Sequence, residues 1–149
     1  MYPFVLAVHN IVRWVALILA ILAVVRAFIG WLGKRDWTDR DRKIGVFFTS
    51  AMDVQLLLGL LLYFLLSPLT TAALRNFGAA MGNDVSRFFA LEHALYMILA
   101  VVFAHLGSAF SKRADEPVKK HRTAAIWFGL SLIIILLGMP WTRPLLPGL

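Results

Sequence analysis

Four histidines are the residues of this chain best suited to carry out chemistry: His9, His93, His105 and His121. Neutral imidazole is a common ligand of haem iron and of other transition metals. The 149-residue chain has no cysteine, which excludes a disulfide framework, an iron–sulfur cluster, thiolate-bound zinc and covalent haem attachment through CxxCH. Any metal must therefore be held by histidine, methionine or oxygen ligands.

The composition indicates that these histidines belong to a membrane protein. Hydrophobic residues make up 60% of the chain, charged residues make up 15%, and the mean hydropathy is +0.78. The apolar residues form runs of about 20 or more, the length that crosses a hydrocarbon layer about 30 Å thick. The formal net charge of +7 does not indicate nucleic-acid binding, because the basic residues flank the apolar runs and form no solvated face with interleaved aromatics.

The apolar runs predict an all-α integral membrane protein with a single domain, 1–149, built as an up-down bundle of four transmembrane helices. The predicted spans are 4–33, 44–66, 85–111 and 117–139. A charged turn, KRDWTDRDRK, separates the first two spans, and the polar segment 69–86 predicts a short interfacial helix followed by a turn. The first span lacks the features of a signal peptide and is expected to remain in the mature protein. The terminal PWTRPLLPGL predicts an irregular tail.

The distribution of lysine and arginine predicts the orientation. Four alternating spans place both termini and the 67–86 loop on one side of the membrane, and the 34–43 and 112–122 loops on the other. The second side carries ten lysines and arginines, whereas the first carries three. Because loops rich in lysine and arginine stay in the cytoplasm, we expect both termini on the outer side.

This topology groups the histidines into two pairs by depth. His9 and His93 lie about two turns from the outer face, and His105 and His121 lie about one to two turns from the cytoplasmic face. A haem held by two imidazoles needs two neutral histidines on different helices at one depth. The 12 residues between His93 and His105 separate two such sites by about 18 Å and rotate the second by about 120°. The pattern therefore predicts two haems, with span 1 and span 4 supplying the partners.

Simpler interpretations exist for the two histidines outside span 3. His9 could be an ordinary interface residue, and His121, within KKHR, could belong to the cytoplasmic basic cluster. His93 and His105 lie inside an apolar span, where polar side chains are costly and usually functional.

Three arginines are placed to neutralise haem propionates. Arg13 follows His9 by four residues on the same helix face, and it could reach a propionate or pair with Glu92. Arg87 lies outward of His93, and Arg122 lies beside the cytoplasmic pair. The orientation of the loops alone would also account for the last two.

The middle of the second span contains a carboxylate that needs a partner. Asp53 is expected to pair with Arg26 at a similar depth in span 1, or else to handle protons beside a quinone or the inner haem. Gln55 lies in the same stretch. Met52 and Met97 are alternative axial ligands, although methionine more often fills a core.

Four segments make the chain resemble the small four-helix b-type cytochromes of bacterial membranes: HNIVRW, EHALYMILAVVFAH, KKHRTAAIWF and PWTRPL. In architecture it is similar to the cytochrome b561 and cytochrome b electron carriers over essentially its whole length. The resemblance implies two haems b, with His93 and His105 as axial ligands and His9 and His121 as their partners. The spacing of 12 residues is shorter than is usual in those families, so a single haem at His9 and His93 is the alternative. The resemblance also implies a bacterial inner membrane with both termini periplasmic.

Three functions are consistent with these patterns. The first is an electron carrier that exchanges electrons with quinol or with other membrane redox subunits, either as a homo-oligomer or alone. It is not expected to be a stand-alone enzyme, because the sequence has no Gly-rich phosphate loop, GxSxG or HExxH motif. The second is a haem-free transporter or structural subunit of a larger complex, with an internal network of Asp53, Glu92, Arg13 and Arg26. The third is a protein that binds a copper or iron ion, which needs three or four converging ligands.

Overall fold

Four long helical segments form the framework of the protein. The computed structural model describes residues 1–144. Its elements, in chain order, are α1 Tyr2–Leu32, α2 Asp39–Leu61 with a π-helical turn Leu62–Leu66, α3 Pro68–Arg75, α4 Phe77–Met81, α5 Asp84–Arg87 with a π-helical turn Phe88–Glu92, α6 His93–Arg113 and α7 Pro117–Gly138. Within the described residues, four helices are long and apolar enough to cross a membrane. The protein is a four-span helical membrane protein, as the apolar runs predict.

The four spans pack as an up-down bundle in which each has two main neighbours. α1 packs against α2 and α7, and α6 packs against the same two helices. Alanines at every third or fourth position of α1, from Ala16 to Ala27, are buried, and such small residues let neighbouring helices approach closely. Phe48 and Phe128 fill the core edge to face, with ring centroids 5.5 Å apart. Large aliphatic side chains on the outer surface are left to contact lipid.

The start of α2 differs from the prediction because the charged turn contains a helix cap. α2 begins at Asp39, five residues before the predicted 44. Asp41 Oδ2 accepts hydrogen bonds from the Thr38 backbone N–H (2.9 Å) and hydroxyl (2.6 Å), which completes a capping box. Arg26 Nε and Nη2 donate to Asp41 Oδ1 at 2.9 and 2.8 Å. The prediction that Arg26 pairs with Asp53 was therefore wrong.

Asp41 is expected to contribute more to stability than its neighbour Asp39. Replacing Asp41 with alanine removes the cap and leaves Arg26 without its carboxylate, so we expect the free energy of unfolding to fall by about 2 kcal/mol. Asp39 is the matched control, because its ion pairs with Arg42 and Lys43 are exposed and such pairs contribute little. Equilibrium unfolding in mixed micelles measures both variants. Equal losses in the two variants would contradict this assignment.

Two short helices, and not one, connect the second and third spans. α3 and α4 begin at the caps Ser67 and Asn76, whose side chains accept from Thr70 N and Ala79 N. After a turn at 82–83, the third span starts at Asp84, capped by Asn83. At the end of the chain, residues 140–144 of the predicted tail are irregular, and its remaining residues, 145–149, lie outside the described part.

Two π-helical turns meet at the terminal end of the bundle, by which we mean the end that carries Tyr2 and Pro144. Backbone bonds of the i to i+5 type define them, from Ser67 N to Leu62 O and from His93 N to Phe88 O. The Tyr63 hydroxyl in the first turn donates to Ala90 O in the second at 2.6 Å. Such turns occur frequently at functional sites, and nothing in the sequence analysis predicted them.

Candidate functional site

A cavity of about 330 Å³ lies between the spans at the terminal end of the bundle. This volume lies at the lower end of the range, about 300 to 1,000 Å³, that is typical of small-molecule sites. His9, Arg13 and His93 all line the cavity, together with mostly apolar residues of the four spans and both π-helical turns. The structure thus brings the predicted outer histidine pair and its arginine to a single site. Their roles as iron ligands and propionate partner stay predictions.

His93 has a fixed ring orientation. Its Nδ1 donates a hydrogen bond to Gly138 O at 2.7 Å, because a carbonyl oxygen can only accept. The neutral ring therefore keeps its lone pair on Nε2, the atom that ligates a metal when Nδ1 is held in this way. His93 directly follows the second π-helical turn, and the rings of Phe88 and Phe89 lie 5.9 Å from its ring. The backbone carbonyl of Gly138 thus fixes the ring of His93 through Nδ1.

His9 is held by Gln55, a residue to which the sequence analysis gave no role. Gln55 Nε2 donates to His9 O at 3.0 Å and lies 3.2 Å from His9 Nε2. A metal at His9 Nε2 would replace the second contact and leave the first in place. Gln55 could have been singled out because it is a polar residue in the middle of an apolar span. Its depth in the span does not show, however, that its side chain faces His9.

Arg13 is a buried cation that lacks a carboxylate partner within residues 1–144. Its Nε and Nη1 are buried without a hydrogen-bond partner in that part of the chain, and its guanidinium lies 5.3 Å from the Trp14 ring centroid. The proposed alternative partner, Glu92, accepts instead from Arg87 Nε at 2.8 Å, so the Arg13–Glu92 pair was a wrong prediction. Unpaired buried N–H groups are costly, and a guanidinium fits a carboxylate or another oxyanion.

Further unsatisfied polar atoms lie close to Arg13. Within the described residues, His9 Nδ1 and Gln55 Oε1 are also buried without a hydrogen-bond partner, and both residues line the cavity. Buried polar groups in folded proteins are nearly always hydrogen-bonded. Four of the six buried polar atoms that lack a partner in residues 1–144 belong to residues that line this cavity, the other two being Trp14 Nε1 and His121 Nδ1, so the cavity is a candidate site for a polar ligand.

Two other arginines lie near this end of the bundle. Arg143, which the sequence analysis counted only for orientation, lines the cavity and packs over the Phe89 ring at 4.8 Å. Arg87, the predicted propionate partner, contacts the carboxylates of Asp84 at 3.1 Å and Glu92 at 2.8 Å. Arg143 could not be found from the sequence because its position depends on how the tail folds back.

The predicted inner pair, His105 and His121, has a different arrangement. His105 Nε2 lies 2.7 Å from Asp53 Oδ1 on the outer surface of the bundle. His121 is 2% exposed and is not a solvated member of the basic cluster. Its Nε2 donates to Asp36 O at 3.2 Å, and its ring lies 4.8 Å from that of Trp37. The structure does not bring these two histidines together, and haem ligation by them stays a prediction.

The space beside His121 is small. The void lined by His121, Trp37 and Phe128 measures about 10 Å³, close to the minimum that a single water needs. Arg122, predicted to serve this pair, is exposed. Met52 and Met97 both line the larger cavity. Among residues 1–144, no three histidine, aspartate or glutamate side chains converge to hold a bare metal ion.

No protein-family model, curated protein or solved structure matches this chain. Its geometry is therefore the basis for any assignment of function.

Proposed function

We propose that the protein is a membrane cytochrome that holds one haem b between His9 and His93 and transfers electrons through it. The observation that carries the proposal is the shared cavity, which is lined by two histidines from different spans and by a buried arginine with unpartnered N–H groups. This arrangement supports the single-haem alternative of the sequence analysis over the two-haem arrangement.

The residues around the cavity fit such a cofactor. His93 offers Nε2, since Gly138 O holds its Nδ1, and His9, whose backbone O accepts from Gln55 Nε2, offers a second imidazole. Arg13 would bind a propionate carboxylate through its unpartnered Nε and Nη1. The apolar lining would keep water away from the macrocycle. When bound, haem supplies a one-electron redox couple, and the chain holds it, orients it and sets its surroundings.

The haem-free alternative is less well supported, because its polar network does not form. That hypothesis needed Asp53, Glu92, Arg13 and Arg26 to contact one another. In the structure they belong to separate groups: Asp53 with His105, Glu92 with Arg87, and Arg26 with Asp41. Of these four residues, Arg13 is the one without a partner of opposite charge in residues 1–144, and it lines the cavity.

The distribution of lysine and arginine indicates near which face of the membrane the proposed haem lies. The cavity lies at the terminal end, opposite the loops that carry ten of the lysines and arginines. If the positive-inside rule applies in a bacterial inner membrane, the haem lies near the periplasmic face. Quinol or a second membrane redox subunit is the expected partner.

The first test is a reduced-minus-oxidised absorption spectrum of the detergent-purified protein, with haem quantified per polypeptide. We expect the bands of low-spin haem b and one haem per chain. Two haems per chain would return the inner histidine pair to the assignment. A colourless protein that also fails to take up added haem would overturn the proposal.

A further inference from the structure

A polar pair lies on the outer surface of the bundle, in the groove between α2 and α6. Asp53 Oδ1 and His105 Nε2 are 2.7 Å apart, and their side chains are 48% and 51% exposed. Asp53 lies halfway along the second span, and the side chains that flank the pair, Val54, Leu57 and Val102, are exposed aliphatics. The pair therefore faces the region of lipid tails.

The pair has unused hydrogen-bonding capacity. Within residues 1–144, the two side chains bond only to each other, which leaves Asp53 Oδ2 as an acceptor and His105 Nδ1 as a further ring nitrogen. Lipid tails provide no partner for these atoms, and ionisable side chains in membrane spans normally face protein or water. Something more polar than lipid must cover this surface.

We propose that a second copy of the chain covers it, packed through α2 and α6 about a two-fold axis beside the pair. In such a dimer the same surface serves both subunits, so each contact occurs twice. One proton then lies between Asp53 Oδ2 of one copy and Nδ1 of the partner's His105, so that each Asp–His pair is neutral overall, and the reverse bond completes a ring of four side chains. The pair is self-complementary in this way because it presents one free acceptor and one free ring nitrogen.

Small side chains on the same surface permit the close approach that these bonds need. Ser50 lies three residues before Asp53, and Ala109 lies four residues after His105, so both fall on the same helix faces as the pair. Both are exposed in the single chain. Small residues are typical of contacts between membrane helices, because they bring the backbones close together.

The proposed dimer does not depend on the haem site. The pair faces outward, whereas the neighbouring Met52 and Val101 face the cavity inside the bundle. A haem-free dimer would therefore contradict only the cytochrome proposal, and a haem-containing monomer would contradict only the dimer. The measurements below use no haem signal.

Cysteine cross-linking in lipid vesicles tests which surface is covered, because the chain has no cysteine of its own. Leu57→Cys and Val102→Cys place a thiol beside the pair, at positions 67% and 45% exposed. Ile18→Cys and Ile133→Cys are matched controls on α1 and α7, at 57% and 55%. With a short bismaleimide we expect dimers from the first two variants alone. Dimers from the controls alone, or from none of the four, would overturn the proposal.

A second measurement tests the role of the pair itself. Subunit counting by photobleaching, over a series of lipid dilutions, gives the dimer dissociation constant of the wild type and of the Asp53→Leu/His105→Leu variant. Because both side chains are half-exposed, leucine fits there without repacking the core. Loss of the hydrogen bonds between copies should raise the Kd about tenfold or more. An unchanged Kd, or a wild type that is monomeric at every dilution, would overturn the proposal.

Discussion

Replacing His93 with alanine is expected to remove the proposed haem from the purified protein, whereas replacing His105 is expected to leave the haem content unchanged. The first substitution deletes the imidazole whose Nε2 is free to bind iron and whose Nδ1 is held by Gly138. The second removes a side chain that contacts Asp53 on the outer surface of the bundle, away from the cavity. Haem per polypeptide and the low-spin bands of the reduced protein measure the difference. We expect a fall from one haem to nearly none in the His93 variant.

An added ligand separates iron binding from a structural role of His93. In a His93→Gly variant, free imidazole can enter the space left by the side chain and is expected to restore the low-spin spectrum. A structural role would not be rescued in this way, because free imidazole is not tethered to the helix. Loss of half of the haem in the His105→Ala variant would indicate two sites. Full haem retention without His93 would show that iron is bound elsewhere.

Replacing Gly30 with alanine is expected to lower the free energy of unfolding by about 2 kcal/mol. A Cβ at this position would clash with Nδ1 and Cε1 of His121. The ring cannot easily move aside, because it is buried against Trp37 and bonded to Asp36 O. α1 and α7 must therefore separate, or the loop that contains Asp36 must shift. Equilibrium unfolding in mixed micelles, carried out without haem, measures the loss.

The matched control is Gly129→Ala in the middle of α7. A Cβ there meets no atom within 4 Å, and alanine is the better helix former, so stability is expected to stay constant or rise. A Gly30→Ala variant as stable as the wild type would mean that His121 is not tightly held. That result would reopen the space between α1 and α7 to a ligand.

Hydropathy alone predicted the four spans well, because a helix that crosses the lipid needs a continuous apolar segment of sufficient length. The length of such a segment can be read directly from the sequence. The first and fourth spans, predicted as 4–33 and 117–139, are Tyr2–Leu32 and Pro117–Gly138. The start of the second span was missed because its first five residues are all charged. Thr38 and Asp41 form a capping box there, which continues the helix beyond the apolar region.

The depth of each polar side chain in the membrane was predicted better than the residue that it contacts. Counting residues along a helix gives depth, which placed His9 and His93 at one level, and the structure brings them to one cavity. A partner also depends on the rotation of each helix about its axis. Arg26 and Asp53 have similar depths, but Arg26 reaches Asp41 and Asp53 faces His105 on the outer surface. The rotation of each span is set by its packing, which a single sequence does not specify.

The paired π-helical turns give this site an unusual sensitivity to chain length. Each such turn holds one residue more than a regular α-helical turn requires, and one residue corresponds to about 100° of rotation. Deleting a single codon within Phe88–Glu92 would restore a regular helix and rotate Asp84–Arg87 against α6. The Tyr63 hydroxyl would then lose Ala90 as its acceptor. Among homologous chains, one-residue gaps at these two turns would mark members in which the cavity has been gained or lost.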